Sequence, residues 1–328
     1  MLITCLVLAA VQDLAATPLS DTPTGLLAGR LSARFPAGAV LEARRRGIMS
    51  APEADERETR VVWTSGERKI VVMVYEQLET AGDDLRKDVA DVVKTWDEAK
   101  PDAFAVADFP LRDAKLRACA VTPAAIDPER EAVFIFGLFT ATDDRAIQHI
   151  AVYANPEAAK EAAGCTALAR KIAGTVAPGG RALVRAAGRR TLHEAEGRRL
   201  TIEVPEGFVT TSQKGPDFKV TSIAQLVPIG KPRAVVGAYL GGHPRYHYER
   251  ADAPSPVVEE PGKLLDKDVI WHVWSEKRGA VETRFVEAIF ALPDSREHLL
   301  HVFASAPEAE GLKALRAALG TMRLEAAK

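Results

Sequence analysis

The stretch Phe139-Thr-Ala-Thr-Asp-Asp-Arg-Ala-Ile-Gln-His-Ile-Ala-Val-Tyr-Ala-Asn-Pro-Glu-Ala158 returns later as Phe290-Ala-Leu-Pro-Asp-Ser-Arg-Glu-His-Leu-Leu-His-Val-Phe-Ala-Ser-Ala-Pro-Glu-Ala309. At one offset of 151, with no gap, Phe139/Phe290, Asp143/Asp294, Arg145/Arg296, Pro156/Pro307, Glu157/Glu308 and Ala158/Ala309 coincide. Each version reads as strand, polar turn, strand, then a helix opened by proline. A unit copied once within the chain is the resulting expectation, and it governs the architecture.

Weaker matches extend outward from this block in the same order. Leu31–Gly38 aligns with Leu200–Gly207 at an offset of 169, both ending in Pro-x-Gly. A hairpin follows in each half. Arg60–Trp63 and Ile70–Tyr75 flank a Gly-containing turn, and Ile223–Val227 and Ala234–Tyr239 flank another, matching at 164 through Gly66/Gly230, Val71/Val235, Val72/Val236 and Tyr75/Tyr239. Past the long block, Arg170/Arg316, Gly174/Gly320 and Thr175/Thr321 agree at 146. The first half carries an amphipathic stripe, Leu85, Val89, Val92, Val93 and Trp96, which predicts a helix capped by Asp83 and stopped by Pro101. The second half has the proline-rich run 250–262 instead, which cannot be a regular helix. Its closing helix takes Ser305 and Glu308 as a capping box and buries Leu312, Leu315, Leu319 and Met322.

These elements predict an α+β protein of two tandem domains, each a curved antiparallel sheet packed with amphipathic helices. The expected boundaries are a signal segment at 1–16, a first domain at 25–180, a basic linker at 181–194, and a second domain at 195–328 that lacks the middle helix. Val204-Pro-Glu-Gly-Phe208, the hairpin and the terminal amphipathic helix resemble the PsbP-like superfamily, which includes the Mog proteins. That resemblance covers each half separately. It implies a curved antiparallel sheet between helices, in small secreted or accessory binding proteins without a shared catalytic residue.

Composition excludes few classes. The chain has 328 residues, 47% hydrophobic and 27% charged, with a formal net charge of −2. This is ample apolar material for two cores and gives no electrostatic bias toward nucleic acid or acidic lipid. The apolar run Met1–Val11 is too short to span a bilayer. It suits the apolar region of an export signal cleaved after Ala10 or Ala16, although no Lys or Arg precedes Arg30. The protein is therefore expected to be periplasmic or extracellular, with an envelope lipoprotein as the lesser alternative. Removal of the signal leaves Cys119 and Cys165, an even pair that invites a disulfide; two buried free thiols are the alternative.

Candidate chemistry is sparse. His243, His247 and His272 cluster in sequence beside Tyr246 and Tyr248, and imidazoles could hold zinc or copper. The spacing of His243 and His247 around Pro244 is not helical, so polar strand-end residues are the simpler reading and no metal is assigned. His149, His298 and His301 fall on non-matching positions of the repeat, which points to surface or sheet-edge sites. Asp143 with Arg145, and Asp294 with Arg296, read as turn-stabilising pairs. Trp271 and Trp274, three apart in a strand, point to opposite faces and pack. No nucleophile motif and no phosphate loop occurs. Binding is instead expected at Arg185, Arg189 and Arg190 of the basic stretch, and at His243, Arg245, Tyr246, His247 and Tyr248 of the Gly241–Arg250 loop. The predicted protein is an exported, monomeric, non-enzymatic binding or accessory module of the envelope. Its partner is a protein or another envelope component, not nucleic acid, and it has no cofactor and no transmembrane span. The rival is a metal-dependent hydrolase that uses the histidines of the second half.

Overall fold

The computed structural model describes residues 13–42, 58–96, 102–143, 145–183, 185–195, 197–214, 218–252, 254–292 and 299–326. These form two compact units. The first holds residues up to 42 together with 59–75 and 83–181; the second holds 58, 76–82 and 182–326.

From Thr24 to Pro178 the elements are β1 (Thr24–Leu26), β2 (Leu31–Ala33), β3 (Val40–Glu42), β4 (Glu58–Ser65), β5 (Arg68–Thr80), α1 (Leu85–Val93), β6 (Phe104–Asp108), β7 (Arg117–Pro123), β8 (Val133–Ala141), β9 (Ala146–Ala154), α2 (Pro156–Ala159), α3 (Ala162–Ala173) and β10 (Ala177–Pro178). From Gly188 they are β11 (Gly188–Ala195), β12 (Arg198–Val204), β13 (Phe208–Lys214), β14 (Phe218–Gln225), β15 (Val227–Pro228), β16 (Val235–Gly241), a 3-10 turn at His247–Arg250, β17 (Val258–Leu264), β18 (Lys267–Arg278), β19 (Val281–Ala291), β20 (Leu299–Ala306), α4 (Ala309–Leu319) and β21 (Arg323–Ala326).

The strand orders of the two units repeat. One main sheet runs β3-β4-β5-β9-β8-β7-β6, the other β13-β14-β16-β20-β19-β18-β17. Each unit adds a three-stranded sheet, β1-β2-β10 or β11-β12-β21. Glycines at matched turns share a need for left-handed backbone: φ is 81° at Gly38 and 88° at Gly207, and 60° at Gly66 and 73° at Gly230. In unit 1 the core joins α3, through Leu168 and Ile172, to Val61, Val72, Leu138 and Ile150 of the sheet. In unit 2 it joins α4, through Leu315 and Leu319, to Val236, Val286 and Val302.

The α+β expectation is overturned. Strands make up 51% of the protein and helix only 16%, in four sheets, so the class is predominantly antiparallel β. The predicted helices exist, but segments read as connectors are strands. The linker at 181–194 contains β11, with Leu192 fully buried. The proline-rich run supplies β17, where Pro261 is tolerated because β17 is the outermost strand of its sheet. Period-two patterning is weak in such edge strands, since one face and one edge meet solvent.

The block that revealed the repeat is displaced by one residue from the structural match. In unit 1 the pairs Leu138↔Ile150 and Phe136↔Val152 face α3, and Phe139↔His149 faces the other way. In unit 2 Phe290↔Leu300 and Ala288↔Val302 face α4, and Ile289↔His301 faces the other way. An offset of 151 therefore puts equivalent residues on opposite faces, as any one-residue slip must. Offsets of 150 for β8 to β19 and 152 for β9 to β20 restore the faces. The two extra residues fall between Ala291, where β19 ends, and Leu299, where β20 begins. On that footing His149 corresponds to His301, and Gly137 to Glu287.

Other local expectations shift too. Asp84, not Asp83, caps α1 by accepting from Lys87 N at 3.0 Å, while Asp83 receives Arg145 Nη2 at 3.0 Å. Asp294, Arg296 and His298 lie outside the described residues. The expected signal segment is not wholly dispensable: Leu14 is fully buried in the core of unit 1 beside Gly164 of α3, and cleavage after Ala16 would remove it. Residues 1–12 are outside the described set. Cys119 and Cys165 are both free and buried. Cys165 faces the α3 core, whereas Cys119 pairs with Phe139 on the opposite face of the sheet, so the sheet itself separates them.

Candidate functional site

In unit 1 the sheet face turned away from α3 is covered by α1 and the residues that follow it. Trp96 approaches Phe139 at 5.9 Å and His149 at 5.3 Å between ring centroids, and Phe139 stacks on His149 at 4.2 Å. Among its described residues unit 2 has no such helix. There the loop after β16 folds over the corresponding face of β18, β19 and β20. Antiparallel register places His272 and Phe303 directly across from Glu287, with Trp274 across from Phe285 and His301 across from Ile289. Gly237 gives Phe303 its space, because a Cβ there would lie 2.7 Å from the phenyl ring.

Glu287 is the centre of this face, its side chain fully shielded from solvent. Trp274 Nε1 donates to its Oε1 at 2.7 Å. The His247 amide donates to both oxygens, at 3.1 and 2.9 Å, and the Tyr248 amide to Oε1 at 3.4 Å. His247 Nδ1 and His301 Nε2 reach Oε2 at 2.9 and 2.8 Å. Burial pushes the Glu287 carboxyl up, but the hydrogen bonds from His247 and His301 outweigh it and hold it well below the usual carboxylate range. An ionised carboxylate only accepts, so both ring nitrogens carry protons in this arrangement. Burial lowers His301 by more than its bond to Glu287 raises it, which makes this pair a neutral imidazole on a carboxylate.

The buried acceptor fixes the loop, and the loop presents a surface. Tyr246 and Tyr248 stack on each other at 5.1 Å, and Tyr248 stacks on His272 at 5.6 Å while Tyr246 meets the same ring tilted at 4.3 Å. His243, Arg245, Glu249 and Arg250 are exposed, and Tyr246, His247 and Tyr248 are half-buried. Beyond the turn, Ser255 N donates to Ser275 O at 2.7 Å and ties the chain back to β18.

Of the predicted residues, Tyr246, His247, Tyr248 and His272 converge here, while His243 and Arg245 project to solvent. The arginines lie elsewhere in unit 2, on β11 and just before it. Arg189 bridges Glu203 and Glu325 at 3.0 and 2.5 Å. Arg190 is buried and donates to the Ala186 carbonyl at 2.6 Å, and the Arg185 carbonyl accepts from Gly207 N. The sheet-edge assignment of His149 and His301 is overturned, since both are buried in central strands. Sequence reasoning missed Glu287. Its signal was a single charge inside the apolar run Phe285-Val-Glu-Ala-Ile-Phe290, which on a central strand must be buried and therefore paired. An open groove of about 890 Å³ also lies in unit 2, with Arg198, Lys263, Asp266, Arg323 and Glu325 on its walls. Its wall charges are of both signs.

No family model and no curated protein matches the chain. Among solved structures it is similar to the apo immunity protein TplEi of T6SS from Pseudomonas aeruginosa, at 8% identity and a TM-score of 0.24, over 93% of this chain and 97% of that one. It is also similar to the same immunity protein complexed with "L" peptide, at 11% identity and 0.23, over 92% and 96%. A chain of the Tle4–Tli4 complex aligns at 10% identity and 0.25, over 93% and 98%. With TM-scores this low, the likeness assigns neither fold nor partner. The described residues contain no helix long and apolar enough to cross a membrane.

Proposed function

We propose that the protein is a non-enzymatic binding module whose recognition surface is the Gly241–Arg250 loop of unit 2, and that its partner is another protein. The supporting observation is the clamp on Glu287, which holds the amides of His247 and Tyr248 while Arg245 and Arg250 are exposed beside the half-buried Tyr246 and Tyr248. Tyr and Arg dominate binding hot spots because they offer large area and several donors at small entropic cost. A loop already ordered in the free protein loses little further freedom on binding. Neither Cys119 nor Cys165 is poised as a nucleophile, since burial pushes Cys119 up to about 12 and Cys165 up to about 11. The apolar run Met1–Val11 favours work in the cell envelope.

A photo-crosslinking residue at position 243, compared with one at exposed Lys313 on α4, tests the assignment in cells that make the protein. The reading expects a discrete adduct from position 243 that is absent from 313 and is lost in the double variant Tyr246→Ala/Tyr248→Ala, with thermal stability retained. The same adducts from both positions, or no effect of the double substitution, would overturn it.

A further inference from the structure

The inner side of the same loop carries chemistry that partner binding does not need. We propose that His247 Nδ1, Glu287 Oε2 and His301 Nε2 form a site for one divalent transition-metal ion of the zinc class.

Geometry is the first argument. The three ligand atoms lie within 4.8 Å of one another. Both imidazole nitrogens already converge on one carboxylate oxygen, at 2.9 and 2.8 Å. Tetrahedral zinc with bonds of about 2.0–2.1 Å separates its ligands by about 3.3 Å. The cluster must therefore open by roughly half an ångström, a displacement available to His247 on its half-buried surface turn. Binding also requires His247 Nδ1 and His301 Nε2 to give up the protons they direct at Glu287, since a ligating nitrogen offers its lone pair to the metal.

The surroundings are those of a ligand set. Glu287 Oε1 is held separately by Trp274 Nε1 at 2.7 Å and by the amides of His247 and Tyr248, which orients Oε2 toward the two rings. Metal-binding carboxylates and imidazoles are characteristically steered by such outer hydrogen bonds. Two nitrogens and one carboxylate oxygen suit zinc or its neighbours, not calcium or magnesium. Two ligands sit on the rigid strands β19 and β20 and the third on the loop, so an ion would join loop to sheet. His247 is 42% exposed, which leaves an entry path and a fourth position for water or a partner's side chain.

The repeat supplies an independent comparison. At the corresponding places unit 1 has Gly137 and His149. There the histidine stays neutral and lies against Phe139, and its Nε2 has no protein partner. The fold thus accommodates a buried histidine at this position without a carboxylate. Only unit 2 adds Glu287 and brings in His247.

The test uses the tag-free full chain, so that it does not depend on any partner. Zinc is titrated calorimetrically and counted by elemental analysis, and Co2+ is added to read coordination from its visible spectrum. The expected result is one ion per chain, a tetrahedral Co2+ spectrum and a higher melting temperature with the ion. His247→Ala, whose side chain is half exposed, should fold normally and weaken binding at least tenfold; His301→Gln should do the same. Absence of stoichiometric binding to the wild-type chain would overturn the proposal. Undiminished binding in folded His247→Ala would also overturn it, because the ion would then sit elsewhere, for example at exposed His243.

Discussion

A carboxylate removed from water is tolerated only when its lone pairs are occupied, and Glu287 meets that condition with donors from two strands and a loop. Replacing it with alanine would strand the Trp274 indole N–H, the two amides and the two imidazoles. The expected cost is about 3–5 kcal/mol in chemical denaturation, and Glu287→Gln should cost less because it keeps one acceptor. His149 makes the opposite case, since burial lowers its pKa to about 4. An unfolded histidine takes up its proton near 6.5 while the folded one does not. Stability from this site is therefore complete above about pH 6.5 and declines as pH falls toward 4, by about 3 kcal/mol in all. His149→Phe, which keeps the stack on Phe139 and Trp96, should flatten the fall in stability between pH 6.5 and 4. His193 contributes a similar slope, since it too is lowered to about 4 by burial, so the variant should remove part of the slope and leave the rest. At this scale the sequence revealed the exposed half of the candidate site. Tyr246, His247 and Tyr248 stand out as an aromatic and imidazole cluster in a Gly/Pro loop. The buried half was hidden because one Glu among apolar residues names no partner until strand register is known.

Among the elements, local chemistry fixed what local chemistry can. The stripe of α1, the Pro-x-Gly and Gly66/Gly230 turns and the presence of the closing helices were legible, since each depends on neighbours in sequence. The Ser305/Glu308 capping box is absent: Ser305 lies in β20 and Glu308 opens α4 without a side-chain cap. Strand pairing was not. Phe139 and Phe290 are identical at a tidy offset and yet face opposite ways, because more residues separate β19 from β20 than β8 from β9 and the side-chain period is two. The same alternation keeps Cys119 and Cys165 on opposite sides of one sheet. Both thiols should resist alkylation in the native protein and react only after unfolding, as peptide-resolved mass spectrometry would show; a Cys119–Cys165 bridge recovered under non-reducing conditions would contradict the fold of unit 1. Leu14 belongs to the same core, and Leu14→Ala should cost roughly 2–5 kcal/mol. If export processing occurs, a cut after Ala10 preserves this plug and a cut after Ala16 does not, which the N-terminal sequence of the mature protein would reveal.

Across the whole molecule, one strand order serves twice with different covers. Unit 1 closes its outer sheet face with an apolar helix and aromatic rings. Unit 2 closes the equivalent face with a loop anchored on a buried charge, and so presents exposed arginines and half-buried tyrosines where unit 1 offers a helix. That exchange of cover is the basis for assigning recognition to unit 2. Amide hydrogen exchange at His247 and Tyr248, compared between the native chain and Glu287→Gln, tests it most directly. The clamp predicts strong protection of both amides in the native protein and a loss of at least tenfold in the variant, with the β16 and β20 amides unchanged. Fast exchange at His247 and Tyr248 in the native protein, or protection that survives the substitution, would contradict it.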